Sequence, residues 1–146
     1  MWVKTVTPRF GDADALRHIN NCALPEWFEL GRDPLCRIFM PVLDYDNFCL
    51  IMARITVDFV GQMRFGADIE IRTYVKKVGR SSITVYQEAW QAGSLGAKGD
   101  STIVHYDFAN GKSMPIPQEI RDELEKHLIP EDSHPPRSRS GRFPVL

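Results

Sequence analysis

The chain is poor in the residues that cross-link small folds. Its three cysteines, Cys22, Cys36 and Cys49, form no Cys-x-x-Cys pair. A sparse, odd-numbered set excludes a secreted disulfide scaffold. The four histidines, His18, His105, His127 and His134, stand alone, so metal-ligand spacing is absent and no metal site is expected. No apolar run approaches the ~18 residues a membrane helix needs. The opening residues Met1-Trp2-Val3-Lys4-Thr5 lack the apolar stretch of a signal peptide. There is no surplus of one charge either. Eighteen Lys and Arg against 19 Asp and Glu give a net charge of −1, whereas a nucleic-acid surface usually shows as a strong basic excess. No Gly-x-Ser-x-Gly elbow is present, so a hydrolase built on that motif is excluded. These absences leave a reduced, cytoplasmic protein, without membrane or nucleic-acid partners, as the expectation.

What is present is enough for one core. The 146 residues, 43% of them hydrophobic, fit a single globular domain. Strands dominate from Leu50 onward. Ile51, Ala53, Ile55, Val57 and Phe59 alternate with Arg54, Thr56 and Asp58, the period of a half-buried strand. Gly61 to Gly66 breaks the pattern. Ile69, Ile71, Thr73 and Val75 then alternate with charged neighbours up to Lys76. A turn at Val78-Gly79-Arg80-Ser81 leads to Ser82–Gln91, with Ile83, Val85 and Ala89 on one side. A turn over Gly93–Gly99 precedes a strand carrying Thr102, Val104, Tyr106 and Phe108. Hairpin-like spacing predicts an antiparallel meander with no crossover helices. Upstream, Met1–Phe10 reads as a first strand.

One amphipathic helix precedes the meander. Leu24, Trp27, Phe28, Gly31 and Leu35 form a stripe at helical spacing. Asn20 and Asn21 suit its cap, Pro25 suits its first turn, and Pro34 is expected to end or kink it near Asp33. Gly31 suits close contact with the sheet. A second helix starts at Pro117 and carries Ile120, Leu124 and Leu128. From Pro130 to Leu146, four prolines, three serines and three arginines in 17 residues mark a tail without a core of its own. The expected domain is therefore 1–129. A single helix cannot hide a whole sheet, so a remaining edge or face is expected to pair with a second subunit.

The dense polar stretch lies between the first strand and the helix. Arg9 to Asn21 holds Asp12, Asp14, His18, Asn20 and Asn21 just ahead of a helix N-terminus. Unpaired N–H groups and a partial positive charge there attract anions and stabilise a carbonyl oxygen gaining charge. A carboxylate nearby can attack or activate water. The competing reading makes the same residues turn and cap formers.

The run Asp14-Ala15-Leu16-Arg17-His18-Ile19-Asn20-Asn21, continued through Glu26-Trp27-Phe28-Glu29-Leu30-Gly31-Arg32, resembles the hotdog-fold acyl-CoA thioesterases of the 4-hydroxybenzoyl-CoA thioesterase type. Ile55-Thr56-Val57-Asp58-Phe59 with Gly66, and Val78-Gly79-Arg80-Ser81-Ser82-Ile83, are similar to further family segments. The resemblance implies an α+β hotdog fold, a five-stranded antiparallel sheet wrapped around a long helix, with a short C-terminal helix. It implies that Asp14 is the catalytic carboxylate and that an N–H near Asn21 polarises the thioester carbonyl, with His18 and Asn20 in positioning roles. It further implies a homodimer or homotetramer with active sites at subunit interfaces, and an acyl group carried on coenzyme A or acyl carrier protein. No separate cofactor is expected, because coenzyme A is part of the substrate. The chain departs from the family pattern at Arg17, Leu24 and Pro25.

Other groups have chemistry of their own. Lys76, Lys77 and Arg80 form a basic cluster able to meet coenzyme A phosphates, with Ser81 and Ser82 as further donors; the alternative is a solvated turn. Arg9 and Arg64 are basic without a distinguishing pattern. Glu29, and less so Glu26, are second choices for the carboxylate. Asp58 and His105 read as strand residues, and Cys22 lacks a histidine partner. Two other functions stay open: a non-hydrolytic acyl-binding protein, and an acyl-chain dehydratase.

Overall fold

The computed structural model describes residues 1–130. Apart from Pro130, the expected tail lies outside the described residues. The elements in chain order are β1 (Trp2–Val6), a 3-10 turn (Phe10–Asp12), α1 (Ala23–Phe39), β2 (Leu50–Ile55), β3 (Asp58–Phe59), β4 (Ile69–Val78), β5 (Ser82–Gln91), β6 (Ser94–Asp107), β7 (Lys112–Ser113) and α2 (Gln118–Glu125). Five strands form one antiparallel path in the order β1-β4-β5-β6-β2, and the two-residue strands β3 and β7 both pair with β6. This is the curled sheet and long helix of a hotdog fold.

The meander holds for β4, β5 and β6, but β2 does not join β4. It lies on the far side of β6, with Leu50 opposite His105 and Ile55 opposite Ser101. The turn expected over Gly93–Gly99 is confined to Ala92 and Gly93, both at positive φ, and β6 begins at Ser94. Gly96 and Gly99 are strand residues. A Cβ on Gly99 would collide with the Thr56 carbonyl oxygen, so the glycine admits a close backbone crossing. The strand expected over residues 51–59 splits at Thr56–Val57 into β2 and β3. β1 ends at Val6, short of Phe10, because Pro8 cannot donate to a ladder.

Helix α1 runs past Pro34 to Phe39, so the expected stop at Asp33 does not occur. Proline frees the Leu30 carbonyl, and Leu30 lies on the exposed side. Leu35 beyond the proline is fully buried, and Cys36, Ile38 and Phe39 pack on the same cluster. Burial of that last turn outweighs the lost hydrogen bond. The N-cap is Cys22, and Asn20 acts two residues outside it, its Oδ1 accepting the Cys22 N–H at 2.9 Å.

The core has two apolar clusters. One joins Val6, Leu24, Trp27, Phe28, Met63, Ile69 and Ala97; the other joins Leu35, Leu50, Val75, Ile83, Ile103 and Leu124. A buried polar knot lies between them. Gln87 Nε2 donates to the Phe28 carbonyl at 2.8 Å and to Thr73 Oγ1 at 2.9 Å, and Thr73 Oγ1 donates to the Gly31 carbonyl at 3.1 Å. Arg32 Nη1 donates to Gln87 Oε1 at 3.0 Å and Ser101 Oγ at 3.2 Å. Gly31 permits this approach, since a Cβ there would stand 2.7 Å from Ile71 Cγ2.

Candidate functional site

The loop from Arg9 to Cys22 is held at both ends. Asp12 is buried; it accepts the Arg9 N–H at 2.7 Å and pairs with the Arg9 guanidinium at 3.0 Å. The Arg9 side chain beside it holds the Asp12 carboxyl below its ordinary value. The Asp12 carbonyl accepts the Asn20 N–H at 2.7 Å, and the Met63 carbonyl accepts the Ile19 N–H at 2.8 Å. The chain between these anchors folds into a tight turn. Asp14 Oδ1 accepts the N–H groups of Leu16 at 2.9 Å and His18 at 3.2 Å. Arg17 completes the turn at φ 63°, in the left-handed region. One Asp14 oxygen holds the turn, and Oδ2 takes no hydrogen bond among the described residues.

The start of α1 lies beside this turn. Ala23 and Leu24 N–H groups bond back to the Asn20 and Asn21 carbonyls, at 3.0 and 3.4 Å. Pro25 has no N–H to offer. The Asn21 N–H has no acceptor among the described residues, which leaves an unsatisfied donor next to the positive end of the helix. A cleft of about 360 Å³ opens here, lined by Asp14, His18, Asn20 and Asn21 together with Leu24, Phe59 and Met63. The structure brings all four motif residues to one cleft with one apolar wall.

The expected phosphate-binding residues lie elsewhere in the chain. Lys76 pairs with Asp100 at 2.8 Å. Lys77 and Arg80 are exposed, and Ser81 and Ser82 are half-buried at the β4–β5 turn. This turn sits beside the second core cluster, whereas the cleft sits beside the first. Within one chain the two sets occupy opposite ends of the ten-residue β4, about 30 Å apart at strand spacing. Glu26 pairs with Arg9 at 3.2 Å, while Glu29 and Asp58 face solvent. His105 Nδ1 lies 3.0 Å from the Pro115 carbonyl, with its ring against Phe39, a structural place. Cys22 Sγ contacts Asn21 Oδ1 at 3.5 Å. Among the described residues no group of three His, Cys, Asp or Glu side chains is placed to hold a metal.

Sequence reasoning missed the wall formed by Phe59, Gln62 and Met63 as part of the site. Its one signal is an apolar residue ending an alternating run just before Gly61. A second cleft of about 320 Å³, between Thr5, Asp68, Arg72 and Trp90, holds none of the candidates. Its Arg72 side chain is occupied, 4.7 Å over the Trp90 ring and bonded to Glu70.

The family model of the thioesterase-like superfamily matches residues 8–124. The chain belongs to this superfamily. A predicted thioesterase from Bacillus stearothermophilus is 37% identical, covers 88% of this chain and 96% of its own, and superposes with a TM-score of 0.85. A thioesterase from Thermus thermophilus, solved with coenzyme A and Zn, is 26% identical over 84% of this chain and 96% of its own, with a TM-score of 0.72. A gentisyl-coenzyme A thioesterase, 21% identical over 84% of this chain and 98% of its own at TM-score 0.71, shares the fold. No curated protein matches the chain. As a member of the superfamily the chain is an enzyme of the thioester-hydrolase class. No helix among its described residues is long and apolar enough to cross a membrane.

Proposed function

We propose that this superfamily member hydrolyses acyl-CoA thioesters to the free acid and coenzyme A. The observation that carries the reading is the pairing of two unsatisfied groups in one cleft: the free Oδ2 of Asp14 and the free N–H of Asn21. A thioester carbonyl is electrophilic enough for one carboxylate and one preorganised donor to suffice. The Asn21 N–H polarises the carbonyl oxygen as charge develops on it. Asp14 attacks the carbonyl carbon, or takes a proton from the water that does. His18 and Asn20 position the turn and the donor. Leu24, Phe59 and Met63 receive the acyl group.

The 4-hydroxybenzoyl-CoA thioesterase type is the finer kinship this reading adopts. Lys76, Lys77, Arg80, Ser81 and Ser82 anchor the coenzyme A phosphates across the subunit interface, since within one chain they lie at the far end of β4 from the cleft; the active domain spans 1–129, and the working unit is a homodimer or homotetramer. The coenzyme A in the 26%-identical relative supports coenzyme A, ahead of acyl carrier protein, as the carrier.

The test follows thiol release from a panel of acyl-CoAs by the full chain beside Asp14→Asn. Hydrolysis falling by orders of magnitude in the variant supports the reading. Tight binding without turnover supports the acyl-binding alternative, and water loss from 3-hydroxyacyl chains supports the dehydratase.

A further inference from the structure

The cleft at the start of α1 is steadied from the far side of the sheet. The loop joining β3 to β4 gives the cleft Gln62 and Met63. Its inner side is fixed by the buried Met63 side chain, which lies against Gly96 where a Cβ would collide with it. Its outer side is fixed by Gln91, the last residue of β5. Gln91 Oε1 accepts the Arg64 N–H at 2.8 Å. Gln91 Nε2 donates to the Arg64 carbonyl at 2.7 Å and to the Ala67 carbonyl at 3.0 Å. One side-chain amide thus meets both backbone polar groups of Arg64, as a neighbouring strand would.

The Arg64 N–H and the Met63 carbonyl are two ends of one peptide group. That group is planar and trans, so its N–H and C=O point in opposite directions. The Met63 carbonyl accepts the Ile19 N–H at 2.8 Å. The next peptide group repeats the arrangement. The Ile19 N–H shares it with the His18 carbonyl, which accepts the Asp14 N–H at 2.8 Å. Three hydrogen bonds of equal length, joined by two rigid peptide groups, therefore run from Gln91 to the backbone of Asp14. Bonds in such a chain polarise and strengthen one another. Gln91 itself does not line the cleft.

Gln91 is half-buried, and its bonds lie at the surface. Their loss costs little stability, because water takes the place of the amide. Water does not hold the Met63–Arg64 peptide plane at one angle. Rotation of that plane carries the Ile19 N–H with it, and then the turn that bears Asp14.

We propose that Gln91 is a positioning residue for Asp14. It acts through the Met63–Arg64 and His18–Ile19 peptide groups and does not touch the substrate. Its effect on rate rests on the thioesterase reading above; the coupling from β5 to the Asp14 turn does not. A displacement of about 1 Å caused by a remote change costs up to 10²-fold in rate. The loss falls on kcat, because the coenzyme A contacts at the far end of β4, and with them KM, are untouched.

The test compares the full wild-type chain with Gln91→Met, which keeps the length of the side chain and removes its hydrogen bonds, and with Gln91→Ala. Thiol release from acyl-CoA, per folded molecule, should show kcat at least tenfold lower in both variants. KM should stay within about twofold, and unfolding midpoints within a few degrees. Amide hydrogen exchange in the same variants should quicken at least tenfold at Asp14 and Ile19, with the β5–β6 ladder around Val85 at wild-type rates. An unchanged kcat, or wild-type exchange at Asp14 and Ile19, overturns the proposal. So does a rate loss accounted for by the unfolded fraction, with faster exchange at every amide, which is the mark of general destabilisation. A wild-type chain that releases no thiol from any acyl-CoA overturns the functional reading instead. The exchange measurement then decides the coupling alone, by the same criterion.

Discussion

Two polar clusters sit along α1, about three turns apart, and they are opposites. At the helix start, Asp14 and Asn21 are exposed, Asn20 is half-buried, and together they keep spare hydrogen-bonding capacity: one carboxylate oxygen and one backbone N–H. At mid-helix, Gln87, Thr73, Ser101 and Arg32 are buried and joined in a chain of hydrogen bonds that ends on the Phe28 and Gly31 carbonyls. The interior knot spends its polar groups on one another, because an unpaired buried donor or acceptor costs about 1–3 kcal/mol. The helix start can leave groups unspent because water satisfies them at an exposed surface. Spare capacity facing a cleft is a mark of chemistry; filled capacity in a core is a mark of architecture.

The contrast is broken most sharply at Asp14. Asp14→Asn keeps an oxygen for the Leu16 and His18 N–H groups, so the melting temperature should stay within a few degrees while kcat falls about 10²- to 10⁴-fold. A collapse in stability with the rate per folded molecule intact would assign Asp14 to the knot's class. The converse variant is Gln87→Leu. It removes three hydrogen bonds and leaves the Arg32 guanidinium, whose pKa burial already pushes down, with Ser101 as its remaining acceptor. Denaturant unfolding should register a loss of about 3 kcal/mol.

Asp12 lies in the cleft's own loop but behaves like the knot, and so sharpens the boundary. Asp12→Asn should cost about 1.5 kcal/mol near neutral pH, with little change in kcat. Because the folded carboxyl lies below its ordinary value of 3.8, its stabilisation is full above that value and is lost as pH falls through the lower folded value. The gap between wild type and variant should therefore hold constant from pH 5 to 8 and close below pH 4. The smallest effect is a gain. Arg17 holds a left-handed φ of 63°, and Arg17→Gly should raise unfolding free energy by about 1 kcal/mol. An unchanged midpoint would show the turn to be unstrained.

Much of the fold is legible because each element carries its own period. β4 alternates inward-facing Ile69, Ile71, Thr73 and Val75 with polar neighbours, and β5 places Ile83, Val85 and Ala89 on its inner face with Gln87 between them. The α1 stripe from Leu24 to Leu35 is equally readable. Pro34 misleads because its local penalty is visible in the sequence, whereas the burial of Leu35 and Phe39 that overrides it is not. Gln87 is instructive in the other direction. It occupies a core-facing position between Val85 and Ala89, and a polar residue in that register announces a buried hydrogen-bond network by its position alone.

The site divides along the same line. Asp14, His18, Asn20 and Asn21 are neighbours in sequence, so a contiguous motif identifies them as one loop ahead of one helix. Phe59 and Met63 reach that loop only because β3 pairs with β6 and the Met63 carbonyl takes the Ile19 N–H. Sequence alone therefore determined the alternating strands, the amphipathic helix and the polar loop between them, since period and local chemistry are properties of consecutive residues. Tertiary structure alone decided that β2 lies beside β6 rather than β4, that Asp12 is paired while Asp14 faces a cleft, and that the basic turn sits at the opposite end of β4. Each of those depends on which distant backbone groups find one another, and no stretch of consecutive residues encodes that.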